Sequence, residues 1–501
     1  MLTSQHRLTT PLLRERGALR PVCWETALDF VADRITELQA TKGKDAVAVF
    51  GGAGLTNEKA YLLDKFARLA LGTALIGHSG RTSAAAVRAF GVDRGLPFPL
   101  RDLADADTIM LAGVDTADIR HRTDAQLITV GPGIADLNLY PAPGTEPALA
   151  IGLLHLAVTE GGLDQDYVDH RTSGFAAVWR IAARWWPERV ARITGVSVSE
   201  LRECLRLLTA GRAYLLSGPG TEQHAAVSAW INLCLALGLP GRSGCGYGRL
   251  AGRGNGQGGR ELDHQADQFW RPALDDPAAG ARVAGVWGVD PAELPVPGRW
   301  AYALLDSLGA PHGPEGLLTF GADLARHAGQ LPALGLLVIA DLNRSPTTEL
   351  ADVVLPVTRP PEEDATLVNA EGRILLRPRQ NPPRIGTRSE LAILHDLALR
   401  LGQPPSRFPV EPEQVFAELR QTTAGGPADC SGADYTRLRA GESLFWPVPA
   451  PDSPGTPHMF RDRFAHPDGL ARFRPVEHLG PAEARDTEFV DRHVLRKARA
   501  C

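Results

Sequence analysis

Three loops of this chain bring together residues that can hold a phosphate or a purine. The first is Gly218-Pro219-Gly220-Thr221-Glu222-Gln223-His224. It lies between a strand-like run and a helical pattern, where backbone N–H groups and the helix dipole can meet an anion. The same loop can equally be a tight turn whose glycines supply positive φ. The second runs Gly252-Arg253-Gly254-Asn255-Gly256-Gln257-Gly258-Gly259-Arg260, with five glycines in nine residues. Its Asn, Gln and Arg side chains offer donors and acceptors for a phosphate or a base edge; a flexible surface loop is the plainer reading. The third is a pair of strand ends, Gly321-Ala322-Asp323 and Ala340-Asp341. An acid there can take a ribose hydroxyl or cap a helix. Together the loops imply a nucleotide-bearing cofactor laid across two α/β units.

The elements that must position these loops follow from pattern. The runs DAVAVF (45–50), ADTIMLAG (106–113), QLITVG (126–131), AYLLS (213–217), GLLTFGAD (316–323), GLLVIAD (335–341) and DVVLP (352–356) are short, apolar and β-branched. They alternate with helical periodicities at 25–40, from Glu58 to Leu71 with Thr56 or Asn57 as cap, and from the first loop to about Leu237. This alternation predicts an α/β fold of two doubly wound parallel-sheet domains. Boundaries are expected at 41–115 with 300–400 for one domain and 116–299 for a second inserted in it. A leading segment covers 1–40. Residues 401–458, rich in Pro, Gly and Asp, read as a linker with a helix at 412–421, and 459–501 as a short final segment.

Bulk properties narrow the class. In 501 residues, 44% are hydrophobic and 22% charged, as in a soluble globular protein. The net charge of −5 gives a nucleic-acid or anionic-membrane partner no support. No apolar run has membrane-spanning length and the N-terminus carries no secretory signal, so a cytoplasmic location is expected. The six cysteines form no C-x-x-C, which argues against a zinc site, an iron–sulfur cluster or disulfides. Trp185 and Trp186 read as packing rather than a redox relay, and His224 and His264 as helix-surface residues.

Long segments resemble the actinobacterial nitrate reductase and formate dehydrogenase group of the dimethyl sulfoxide reductase superfamily, the molybdopterin oxidoreductases. They include DAVAVFGGAGLTNEKAYLLDKFARLALGTALI, ERVARITGVSVSELRECLRLL, the stretch from GPGTEQH through GRGNGQGGR, and LADVVLPVTRPPEEDATLVNAEGRILLR. They cover about residues 7–400 and resume at 459–480. The resemblance implies bis(molybdopterin guanine dinucleotide) with Mo or W, held by Gly218, Gly220, Glu222, Gln223, His224, Arg253, Asn255, Gln257, Gly258, Asp341 and Asn369. Asn369 lies in Glu362–Arg373, which resembles a family signature and reads E-E-x-x-T-x-x-N-x-E-G-R here. Several features depart from the group. A leading iron–sulfur domain is not found here. The metal-ligating cysteine segment is replaced by Ser79-Gly80-Arg81-Thr82-Ser83, which leaves Ser83 or Thr82 as an alkoxide candidate and a helix cap as the plainer role for Ser83. Gly131-Pro132-Gly133 stands where D-P-R-x-T is usual, and the final pterin-binding domain is reduced to a remnant at 459–501. The resemblance thus implies a nitrate-reductase-like oxidoreductase with an impaired or lost metal centre, fed by an electron-transfer protein or reductase subunit. The alternative is a non-catalytic paralogue serving as scaffold or partner.

Overall fold

A computed structural model describes residues 7–79, 83–218, 224–250, 254–262, 277–295, 304–310 and 312–478. The chain forms two compact units, Met1–Thr82 with Ala251–Pro457, and Ser83–Leu250 with His458–Cys501.

The first unit is built on a seven-stranded sheet. Its order is Ala18–Pro21, Leu12–Glu15, Val353–Pro356, Leu336–Asp341, Gly316–Phe320, Val47–Gly51, Ile76–His78. The last five are mutually parallel, and the hairpin of the first two adds an antiparallel edge. Val47–Gly51 and Gly316–Phe320 are buried along their whole length. Strands covered by helices on both faces need side chains that are apolar on both, so these runs are continuous rather than alternating. The predicted helix at 25–40 is Trp24–Lys42, with Cys23 as its N-cap. The next spans Asn57–Lys65, capped by Thr56, and continues as a π-helix over Phe66–Leu71.

The second unit carries five parallel strands in the order Gly246–Arg249, Ala213–Ser217, Thr108–Ala112, Gln126–Val130, Leu137–Leu139. Helices Val198–Thr209 and His224–Ala236 pack against it, and Glu146–Thr159 packs against both helices. Helix Pro187–Thr194 sits on Glu146–Thr159 at Gly152, where an added Cβ would come within 2.4 Å of Val190 Cγ2. Gly152→Ala should therefore destabilise the unit by about 1–3 kcal/mol through overpacking, despite alanine's better helix propensity. Thermal unfolding checks this, and a neutral or stabilised variant would show that the two helices can part at no cost.

Three expectations about organisation are corrected. Strand Thr108–Ala112 pairs with Gln126–Val130 and Ala213–Ser217, so the first boundary falls at 82/83, not 115/116. The second falls at 250/251 rather than 299/300, because Gly254 and Asn255 pack against Ala53 in the first unit. Residues 401–457 are not a linker. They carry the expected helix, at Pro412–Thr423, a further helix at Tyr435–Arg439, and a strand pairing Phe445 with Arg373. Buried Phe408, Phe416, Tyr435 and Trp446 make this segment part of the first unit's core; a chain rich in Pro and Gly still packs when large apolar residues punctuate it. Beyond it, Ala471–Arg472 pairs with Thr172–Ser173, and Phe460 and Phe464 stack on Phe90, so 458–478 belongs to the second unit.

Candidate cofactor site at two sheet switch points

In the first unit the chain enters the parallel sheet at Val47–Gly51. It then lays Ile76–His78 on one side and, much later, Gly316–Phe320 on the other. In the second unit it enters at Thr108–Ala112, lays Gln126–Val130 on one side and Ala213–Ser217 on the other. Each sheet therefore has a point where its winding reverses, and ligands of open α/β sheets bind in the crevice beyond the carboxyl ends of the strands there.

Both switch points are finished in the same way. Gly52 donates its N–H to Phe320 O at 2.8 Å, and a Cβ on Gly52 would lie 1.8 Å from Gly321 O. Gly218 donates to Ala112 O at 2.9 Å, and a Cβ there would lie 2.3 Å from Gly113 O. Gly321 and Gly113 both have positive φ, 61° and 63°. Bare backbone thus meets bare backbone at each reversal, and a helix starts shortly beyond it, at Asn57 and at His224. Helix N-termini next to side-chain-free backbone suit the phosphates of a dinucleotide. These paired glycines were not recognised as pairs in the sequence, since their members stand far apart along the chain.

The expected side chains have more internal duties. Asn255 is buried; its amide donates to Leu55 O (3.0 Å) and Asn57 Oδ1 (2.8 Å), and its oxygen accepts from Val368 N (2.7 Å). Gly258 and Gly259 are open not toward a ligand but toward the protein: a Cβ would meet Asn57 Oδ1 at 2.4 Å and the His78 ring at 2.2 Å. Gln257 is buried in the same turn. Asp341 accepts from Leu342 N (2.5 Å) and Asn343 N (3.3 Å), and Asp323 from Ala325 N (2.9 Å). Both strand-end acids therefore cap turns. Burial, with a contribution from Asp323, pushes the Asp341 carboxyl above the usual range. Asn369 Oδ1 accepts from Glu371 N (3.2 Å) and Arg373 N (2.9 Å), closing the turn between Ala365–Val368 and Arg373–Arg377.

The signature Glu362–Arg373 is a set of bolts. Glu362 pairs with Arg7 at 2.5 Å. Glu363 and Glu390 flank the buried Lys59, the second at 2.5 Å. Burial presses Lys59 downward, but Glu390 and Glu363 outweigh it and hold the amine above its ordinary value. Thr366 donates its hydroxyl to Glu58 Oε1 at 2.6 Å and accepts from Asn57 Nδ2 at 3.0 Å, while Tyr435 OH also donates to Glu58, at 2.9 Å. Glu58 has no exposed surface, and burial raises its carboxyl. The sequence suggested Asn57 only as a helix cap and Thr366 only as part of the signature, and it did not single out Glu58 or Lys59 for the site; the polar run TNEK at the start of a helix was the available signal.

Ser83 caps helix Ala84–Phe90: its Oγ accepts from Ala86 N at 3.3 Å, and its own N–H donates to Asp93 at 2.6 Å. The plainer of its two expected roles is the one its contacts describe. Among the described residues no three His, Cys, Asp or Glu side chains are grouped to hold a metal ion. Thr82, Gly220, Glu222, Gln223 and Arg253, and the side chain of His224, lie outside the described residues. Gly218 belongs to the second unit and residues 254–260 to the first.

Two sheets of parallel strands, each with a switch point, define a doubly wound α/β protein, and the chain belongs to the molybdopterin oxidoreductase family, whose model matches residues 7–400. It is nitrate-reductase-like: the "Assimilatory nitrate reductase catalytic subunit" of Bacillus subtilis (strain 168) is 36% identical over 95% of this chain and 72% of that one. The "Assimilatory nitrate reductase" of Haloferax mediterranei is 33% identical over 94% and 70%. "Formate dehydrogenase H" of Escherichia coli (strain K12) is 26% identical over 96% and 72%. Among solved structures, "Acetylene Hydratase from Pelobacter acetylenicus" superposes with a TM-score of 0.67, covering 94% of this chain and 70% of that one at 18% identity, a likeness of fold. The family implies a molybdenum or tungsten pterin cofactor.

Proposed function

We propose that this chain holds molybdopterin guanine dinucleotide, with one nucleotide arm at each switch point, and acts as a nitrate-reductase-type oxidoreductase of the cytoplasm. The observation that supports this is the matched pair of glycine contacts, Gly52 with Gly321 and Gly218 with Gly113, which bring bare backbone together at the carboxyl ends of the strands where each winding reverses. The group would supply the two-electron chemistry at its metal. The chain's own part is to bind and orient. Beyond the turns that follow Gly51 and Ser217, the helices starting at Asn57 and His224 offer their positive ends to phosphates. Asn255, Asn57 and Thr366 keep the first of these turns rigid. Electrons come from an electron-transfer protein or reductase subunit. Among the described residues no helix is long and apolar enough to cross a membrane.

The committed hydroxyl of Ser83 favours a second reading, in which the nucleotide arms bind but the metal centre is lost and the chain serves as a scaffold. One preparation from a cofactor-competent host separates the two. Guanine nucleotide released by acid should amount to two per chain, with stoichiometric molybdenum or tungsten for the enzyme and little metal for the scaffold. Absence of guanine nucleotide would sink both. Ser83→Ala should cost about 1 kcal/mol as a lost N-cap and leave the metal-to-nucleotide ratio unchanged. A fall in that ratio would restore Ser83 as a ligand.

A further inference from the structure

Away from the switch points, one short segment of the second unit is held under strain. Phe460 has φ 67°, a conformation that a bulky aromatic residue keeps only when its surroundings impose it. Those surroundings are explicit. The ring packs on Phe90 (5.3 Å between centroids) and stacks on Phe464 (5.0 Å). The Arg171 guanidinium forks onto two successive carbonyls, Nη2 donating to Phe460 O at 2.5 Å and Nη1 to Arg461 O at 2.8 Å. Gly241 leaves the room that the Phe460 carbonyl needs, since a Cβ there would lie 2.1 Å from its oxygen. Just before, Met459 donates its N–H to Pro97 O at 2.9 Å, and His458 Nε2 lies 2.6 Å from Asp102 Oδ2.

His458, Met459 and Arg461 line a cleft at the amino end of strand Ala213–Ser217, with Phe98, Tyr214 and Cys245 among the groups that face them. Its free volume is about 10 Å³, room for a single water at most. Tyr214 is 1% exposed, and its hydroxyl has no hydrogen-bond partner among the described residues. The closed arrangement thus carries two unfavourable features side by side, a strained backbone and an unpaired buried hydroxyl. Few fastenings outweigh them, so a second arrangement lies within reach. We propose that residues 458–461 are a lid over this cleft, latched by His458 on Asp102, which opens while the rest of the second unit stays folded. Opening lets Phe460 leave positive φ and admits solvent to the Tyr214 hydroxyl and the Cys245 thiol. The segment beyond the lid remains seated, because Phe464 and Ala471 have no exposed surface and Asn232 bonds Arg474 at both its N–H (3.0 Å) and its carbonyl (2.7 Å).

Cys245 reports the opening. The full chain as purified is treated with iodoacetamide, and each cysteine is followed by mass spectrometry. Cys204 and Cys234, buried in helices Val198–Thr209 and His224–Ala236 of the same unit, are the internal references. Cys245 should react at least about tenfold faster than either, which corresponds to about 1.4 kcal/mol. Low urea should leave its rate nearly unchanged while speeding the other two, because a local opening exposes little surface and unfolding exposes much. His458→Gln and Asp102→Asn should each raise the Cys245 rate by about tenfold and leave Cys204 and Cys234 as they were. The lid is overturned if Cys245 in the parent protein reacts no faster than the references or follows them in urea. It is overturned equally if the latch variants leave the Cys245 rate unchanged, or if they speed all three thiols together, since the pair would then brace the whole unit. The urea series needs no variant, so it decides the matter even where a substitution spoils folding.

Discussion

Replacing Lys59 by methionine should lower the stability of the first unit by about 3–5 kcal/mol, a fall of roughly 10 °C in its thermal transition. Lys59 is buried between Glu363 and Glu390. Methionine keeps most of the stem but removes the charge, so two carboxylates are left in a dry site with no cation. The pH dependence has a definite sign. Burial, opposed by Lys59, already holds Glu390 above its ordinary value. A carboxyl whose folded value is raised favours the folded state fully below its unfolded value, and that contribution is lost as pH rises through the folded value. Without Lys59 the folded value of Glu390 rises further. The variant's deficit should therefore be largest near roughly pH 8 and shrink toward roughly pH 5. Replacing all three, Lys59→Met with Glu363→Gln and Glu390→Gln, should recover much of the loss, because no uncompensated charge remains. A single variant within about 1 kcal/mol of the parent would show that water reaches these carboxylates.

Gly52→Val is expected to have the larger functional effect. The new Cβ would stand 1.8 Å from Gly321 O, so the two strand ends must part where the winding reverses. Bound guanine nucleotide should fall by at least about tenfold, which needs only about 1.4 kcal/mol of lost binding. Gly218→Val should do the same in the second unit, against Gly113 O at 2.3 Å. Gly329→Ala, whose Cβ would meet nothing within 4 Å, serves as the control. Nucleotide released from purified protein is the measurement, with circular dichroism to confirm that the sheets survive. Full occupancy in both valine variants would remove the switch points as the nucleotide sites.

The parallel sheets were legible because their strands are continuous apolar runs, and each of the seven expected runs is a strand. So were the helix starts, since Thr56 and Ser83 are local caps whose hydrogen bonds close within three residues. The candidate site was legible only in part. Glycine-rich turns and strand-end acids were visible as residue types, yet Asn255, Asn369 and Asp341 spend their side chains on neighbouring backbone. A single residue type can serve a ligand or a turn, and composition does not distinguish the two.

By itself the sequence determined the class of fold, the order of strands and helices along the chain, and the places where the backbone would lack side chains. Local propensity and hydrophobic period are properties of neighbours, so they can be read from neighbours. Only the tertiary structure decided that Thr108–Ala112 joins the second sheet, that 401–457 closes the core of the first unit, and that Gly52 meets Gly321. These are contacts between segments far apart along the chain. They are selected by how whole faces pack and by which buried charges, such as Lys59 and Glu363, find each other, and no local pattern carries that information.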